Sequence, residues 1–140
     1  MKRAKVVAVV FALACLVVSG ASSQAASTRP YIFGLLLVGP YNDRGYSQAH
    51  YDGGRYVEKT VPGTRMIYID KVNPSDRPGV TIVQLVDDMV EKGARLIIAN
   101  SDDMKDGIRE AARKHPATHF VHVSGDDVLT GKAPANLTNV

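Results

Sequence analysis

The chain has 140 residues, with 17 lysines and arginines against 14 aspartates and glutamates and a nominal charge of +3. Three of the bases, Lys2, Arg3 and Lys5, precede an apolar run, so the rest of the chain carries both signs equally. That balance gives no electrostatic footprint for a phosphate backbone, which disfavours a nucleic-acid binder, and a single cysteine, Cys15, excludes an internal disulfide framework or a cysteine metal site.

The first segment has the pattern of an export signal. A basic start is followed by the 13 apolar residues Val6 to Val18, then by small residues in which Ser23-Gln24-Ala25 fits a small-x-Ala cleavage site. The run is shorter than the ~20 residues of a membrane-spanning helix. The expectation is a signal peptide over residues 1–25, cleaved after Ala25, with residues 26–140 delivered to the periplasm or beyond. Lipid attachment at Cys15 is the alternative. It is disfavoured by Ala12, which stands where lipoprotein processing wants Leu, and by the apolar residues Leu16, Val17 and Val18 that follow the cysteine.

Strand-like and helix-like segments then alternate. Tyr31 to Val38 is a continuous apolar run of strand length, as for a strand buried on both faces, and Gly39-Pro40 ends it. Ser47 is placed to cap a helix reaching about Thr60, before Val61-Pro62-Gly63. Arg65 to Val72 reads as a second strand. A helix over about Pro78 to Lys92 carries the stripe Ile82, Leu85, Val86, Met89 and Val90, with Gly93 at its C′ position. Arg95 to Asn100 is a third strand, and Asp102 or Asp103 caps a helix to Lys114. His119 to Ser124 is a fourth strand, after which Gly125 to Val140 shows no periodicity. The fold class is α/β, a doubly wound parallel sheet with helices on both faces and right-handed crossovers.

Ligands of open α/β sheets bind beyond the C-terminal ends of the strands. The rule selects three loops: Gly39 to Tyr46, Ser101 to Met104, and Ser124 to Asp127. Asn42, Asp43 and Tyr46 occupy the first, Asn100, Ser101 and Asp102 the second, and Ser124 and Asp126 the third. Five of the six tyrosines fall between Tyr31 and Tyr56, which draws attention to the first loop. Tyr46 can stack on a planar ligand and Asp43 can accept its hydrogen bonds. Equally, Asp43-Arg44-Gly45 can be a plain turn with Tyr46 as a hydrophobic staple.

Catalytic motifs are absent: there is no Gly-x-Ser-x-Gly elbow, phosphate-binding Gly-Lys-Ser/Thr loop or dinucleotide fingerprint. Gly53-Gly54, inside a helix, suit close packing better than phosphate binding. His115, His119 and His122 do not converge, since residues three apart on a strand face opposite ways, so no metal or other cofactor is expected. A phosphorelay receiver shares this topology, but an export signal argues against it. Asn136-Leu137-Thr138 matches a glycosylation sequon by chance.

One stretch also resembles a known family. Gly39-Pro40, Asp43-Arg44-Gly45-Tyr46-Ser47, His50 and Gly53 follow the pattern G-P-x-x-D-x-G-[WFY]-[NST]-x-x-H-x-x-G of the basic membrane protein (Bmp, PnrA-like) substrate-binding proteins of ABC transporters. Further matches come in order. Val83-Gln84-Leu85 with Lys92-Gly93-Ala94, Leu96 to Ser101 with Met104-Lys105-Asp106, Ala112 to Pro116 with Phe120-Val121-His122, and Gly131 to Leu137 each resemble family segments.

The resemblance implies one lobe of a type I periplasmic binding protein, the N-terminal lobe over residues 26–140 with the second lobe absent, as from a truncated reading frame. It implies a non-enzymatic protein that binds a purine nucleoside or similar small polar solute and passes it to an ABC permease at the inner membrane. Carried over by position, Tyr46 is the aromatic that stacks on the base, with Asp43 and Ser47 flanking it and Ser101 and Asp102 on the loop that lines the cleft; Asn42 joins the candidate ligand-binding residues from the strand-end rule. The other expectation weighed is an exported sensory or regulatory ligand-binding module that signals through a partner protein. A secreted hydrolase lacks a nucleophile–base pair.

Overall fold

The computed structural model describes residues 29–140; the expected signal over residues 1–25, and with it Cys15, lies outside them. In chain order the elements are β1 (Tyr31–Leu36), α1 (Tyr46–Thr60), β2 (Thr64–Ile69), α2 (Ile82–Glu91), β3 (Ala94–Ala99), a 3-10 turn (Asp102–Met104), α3 (Lys105–Lys114), β4 (His119–His122) and β5 (Leu137–Asn139). Every pairing is parallel, and the strand order is β2-β1-β3-β4-β5. The expected doubly wound α/β sheet is therefore present, with five strands rather than four.

Two cores lie on the two faces of the sheet. Phe33, Leu35 and Leu37 of the first apolar run join Met66 on one side, where Tyr51 of α1 packs against them. Leu36, Ile97 and Ala99 point to the other side and meet Val86 and Met89 of α2 and Ile108, Ala111 and Ala112 of α3. Alternate residues of β1 thus serve both cores, which is why its sequence is apolar without alternation.

Of the paired glycines in α1, only Gly54 is a packing device. A Cβ there would sit 2.8 Å from Leu35 Cδ1, whereas one at Gly53 would meet nothing within 4 Å. Gly54→Val is expected to lower stability by about 1–3 kcal/mol through overpacking. Gly53→Ala is expected to raise it by roughly 0.5–1 kcal/mol through helix propensity. Urea unfolding of the two variants checks both signs.

Two boundaries differ from the sequence reading. The second helix begins at Ile82, not Pro78, because Gly79 has φ +77° and the reciprocal Thr81–Gln84 capping box sets the start. Its end is as expected, with Gly93 at φ +91° after the last turn. The tail, read as irregular, supplies β5. Phe120 N–H donates to Asn136 O at 2.8 Å and Ser124 N–H to Val140 O at 2.8 Å, so β5 pairs with what would otherwise be the open edge of β4. The Asn136 side-chain amide donates to the carbonyls of Ala112, His115 and Thr118 at 2.8–3.0 Å. It is a structural clasp between α3 and β4, and its nitrogen is committed inward.

α2 and α3 are also joined at their polar edges. Hydrogen bonds from Lys114 and then His115 to Asp87, both at 2.6 Å, hold that carboxyl below its ordinary range. His115 caps the end of α3, His119 is exposed and His122 is fully buried, so these histidines are held apart. Among the described residues, no three His, Cys, Asp or Glu side chains gather as a metal site.

Candidate functional site

The strand order places β1 between β2 and β3, so the chain reverses its winding there and the loops after β1 and β3 flank the switch point. The first of these loops is organised by Asp43. Its Oδ1 accepts from the amides of Gly45 (2.8 Å) and Gln48 (3.0 Å), and its Oδ2 from the amide of Ser47 (3.0 Å). Asp43, rather than Ser47, therefore caps α1, because its reach satisfies the orphan donors of the first turn. The Gln48 amide above all, with those of Gly45 and Ser47, holds the Asp43 carboxyl below its ordinary value of 3.8.

The sign of the pH dependence follows. A depressed carboxyl adds stability above 3.8 and loses it as the pH falls through its folded value. Asp43→Ala is expected to lower Tm by several degrees at pH 7, and the gap to the wild type to close in acid. Thermal melts across pH 2 to 7 check this.

Ser47 is buried, and its Oγ accepts from Gly39 N–H at 3.0 Å, tying the start of the loop to α1. Tyr46 is 48% exposed and lies edge-on to His50, with ring centroids 4.6 Å apart. It makes no hydrophobic staple of the kind weighed from the sequence. Asn42 and Asp43 are also exposed. A second aromatic group lies near this loop, where Tyr41, Tyr51 and Tyr68 have centroids 4.9–5.6 Å apart.

Neighbouring loops hold this one on both sides. From β3, Asn100 Oδ1 accepts from Val38 N–H at 2.8 Å. From the segment after β2, Asn73 Nδ2 donates to Val38 O at 3.0 Å, and Lys71 N–H donates to Gly39 O at 3.1 Å. Asn100 is 1% exposed, and its Nδ2 has no hydrogen-bonding partner among the described residues. Ser101 Oγ accepts from Asp103 N–H at 3.3 Å, so Ser101 caps the 3-10 turn in place of the aspartates expected to do so. Asp102 is exposed on that turn. Ser47 and Ser101 are thus brought into adjacent loops through Gly39, Val38 and Asn100, and the Asp43 carboxylate is spent on the first turn of α1, while Asn42, Tyr46 and Asp102 are exposed.

The third loop is committed to structure. Lys105 Nζ lies 2.5 Å from Asp126 Oδ1, a contact that raises the lysine pKa and lowers that of the aspartate. Arg109 Nε donates to Asp127 Oδ1 at 2.7 Å, and this bond raises the arginine further. His122 Nε2 lies 2.8 Å from Ser101 O, and since a carbonyl only accepts, that nitrogen carries a proton. Its Nδ1 is 4.0 Å from Asp127 Oδ2, joining the second and third loops behind the surface.

Two hollows open at this end of the sheet. One of about 360 Å³ is lined by Arg44, Gly45, Gln48, Ala49 and Asp52. The other, about 240 Å³, lies between Asn73, Arg77, Thr81 and the 3-10 turn at Asp103 and Met104. The six expected site residues line neither hollow. Asn100 and His122 are the residues that sequence reasoning underweighted, and a polar side chain at the end of an apolar strand is the signal that marks them.

Residues 7–140 match the profile of the family described as Bmp, ABC transporter substrate-binding protein PnrA-like. Among curated proteins none matches. Among solved structures the chain is similar to an ABC transporter system solute-binding protein from Conexibacter woesei DSM 14684, with a TM-score of 0.64 and 16% identity. The likeness covers 78% of this chain and 34% of that one, so this chain spans about a third of its neighbour's length. At that identity the likeness speaks for the fold, a parallel sheet with flanking helices like a lobe of a solute-binding protein. The family rests on the profile, which takes in nearly the whole sequence: the chain belongs to the Bmp, PnrA-like family of ABC transporter substrate-binding proteins.

Proposed function

We propose that this chain is the N-terminal lobe of an extracytoplasmic solute-binding component of an ABC transporter. It presents one wall of a ligand cleft at the strand ends and acts by binding rather than catalysis. The solute class is a purine nucleoside or similar small polar molecule, and the partner is a permease in the inner membrane. Among the described residues no helix is long and apolar enough to cross a membrane.

One observation carries the reading: the loop after β1 is fixed from both sides, and it holds Tyr46 outward beside the switch point. A base stacked on that ring gains about 0.5–1.5 kcal/mol beyond burial. Asn42 and Asp102, exposed nearby, offer polar groups to a sugar, and Asp43, Ser47 and Ser101 set the loop geometry.

Thermal unfolding of the full chain with a panel of nucleosides tests this. Ligand at about 100 times Kd adds about 2.7 kcal/mol, so one nucleoside is expected to raise Tm visibly, and Tyr46→Ala to remove the effect. If Tm ignores every nucleoside, or shifts equally in Tyr46→Ala, the assignment of the site fails. One wall leaves a ligand largely open to water, so affinity is expected to be weaker than submicromolar.

A further inference from the structure

The opposite edge of the sheet has a different character. Arg29, Arg65, Lys92 and Arg95 line one hollow of about 770 Å³, in which Glu91 is the only acid. Lys92 is paired with Asp88 at 2.6 Å, but among the described residues Arg29, Arg65 and Arg95 form no ion pair. Arg95 is aimed there by a bulge: Ile32 pairs with Ala94 and Phe33 with Leu96, so the register passes over Arg95. Its guanidinium lies 4.3 Å from the centre of the Tyr31 ring, a cation–π contact that keeps the side chain extended over the strand ends.

α1 and α3 end at this same edge with Lys59 and Arg113, and with Lys114 already paired to Asp87. The far edge mixes both signs: Asp126 is paired with Lys105 and Asp106 with Arg109, and Asp70, Asp102 and Asp103 share it with Lys71 and Arg77. The chain enters this basic edge at Arg29, and its continuation toward residue 1 contains the apolar run Val6 to Val18.

We propose that the basic hollow seats the phosphates of anionic phospholipids, so that the sheet's N-terminal edge faces the membrane surface and the strand-end loops face away. Planar guanidinium groups suit phosphate oxygens, and Tyr31 adds an aromatic ring of the kind that settles at headgroup depth. The inference does not rest on the nucleoside reading.

Co-sedimentation of the full chain with phosphatidylcholine vesicles, with and without phosphatidylglycerol, tests it. Phosphatidylglycerol is expected to raise the bound fraction, and salt to reverse the gain. Each cation near an anionic surface is worth about fivefold in partition, so Arg65→Gln/Arg95→Gln is expected to cut the phosphatidylglycerol-dependent part by about 25-fold. Lys71→Gln/Lys132→Gln removes the same charge away from the hollow and is expected to change it less than about threefold. Lys2→Gln/Arg3→Gln/Lys5→Gln strips the bases of the amino terminus and is expected to leave the arginine effect in place.

Circular dichroism melts confirm that each variant folds; Arg95→Lys, which keeps the charge and loses the planar fork, gives a milder second reading. Equal losses from the two double variants would reduce the effect to net charge and overturn the proposal. So would a phosphatidylglycerol dependence that vanishes with the amino-terminal bases. Full competition by inorganic phosphate would make the hollow a free-anion site and overturn the lipid assignment.

Discussion

Phe120→Ala is expected to bring the domain close to unfolding at room temperature, with a loss of about 3–5 kcal/mol. Phe120 is 1% exposed in the centre of β4 and faces the α3 side of the sheet with Ile108, Ala111 and Ala112. It stands opposite Ile97 on one neighbour and Leu137 on the other, so its ring closes the core between three strands. Truncation opens a cavity that packed strands cannot collapse to fill. A domain of this size has a total stability of about 5–15 kcal/mol, so the loss is a large part of the whole. Phe120→Leu keeps most of the volume and is expected to cost under about 1.5 kcal/mol. Urea midpoints with unchanged slope measure both. An alanine variant within about 1 kcal/mol of wild type would contradict the packing account.

Asp127→Ala is expected to cost a similar amount for an electrostatic reason. Asp127 is fully buried, and Arg109 reaches its Oδ1 with both Nε (2.7 Å) and Nη2 (2.5 Å). Its backbone carbonyl accepts from the amides of Lys132 and Ala133, so the residue pins the whole loop that leads into β5. Breaking a fully buried pair costs about 3–5 kcal/mol; Arg109 is 15% exposed and keeps Asp106 at 2.9 Å, so the loss is expected at the low end of that range. The double variant Asp127→Leu/Arg109→Met is expected to recover much of the loss, since an apolar pair of similar volume leaves no charge stranded. A double-mutant cycle in urea reads the coupling. If the double variant is as unstable as the sum of the two single changes, the pair is not coupled and the loop is held by packing alone.

Much of the fold could be read from the chain because it is written locally. The uninterrupted apolar run of β1 signals burial on both faces, and the stripe of α2, with Val86 and Met89 at its centre, signals a helix against a sheet. β5 was not legible because Leu137-Thr138-Asn139 is too short to show a period. What makes it a strand is distant: the edge of β4 and the clasp of Asn136 on α3. The caps of α1 and the 3-10 turn fall a few residues from where the sequence alone puts them, for a related reason. Asp, Ser and Thr all accept from a first turn, and only the path of the loop decides which reaches it.

The site divides the same way. The strand-end rule picks the loops that flank the switch point, and Tyr46 is displayed where it led. The rule does not tell a group facing solvent from one spent on the backbone, and Asp43 and Ser47 proved to be of the second kind. Asn100 and His122 lie at the ends of apolar strands, where periodicity counts them as part of the strand. Only the three-dimensional neighbours Val38 and Ser101 reveal what they support.

The ties on the loop after β1 bear on the thermodynamics of any ligand that docks there. Its backbone is already fixed in the free protein by Asn73, Asn100, Ser47 and Asp43. Association then leaves little ordering entropy to be lost, and the heat-capacity change reflects buried area alone, without a folding contribution. Asn73 and Asn100 stand behind the displayed surface, yet loosening either one transfers that ordering cost to the binding step. For any ligand that docks at Tyr46, affinity would thereby be governed in part by two amides whose hydrogen bonds are made to the loop backbone.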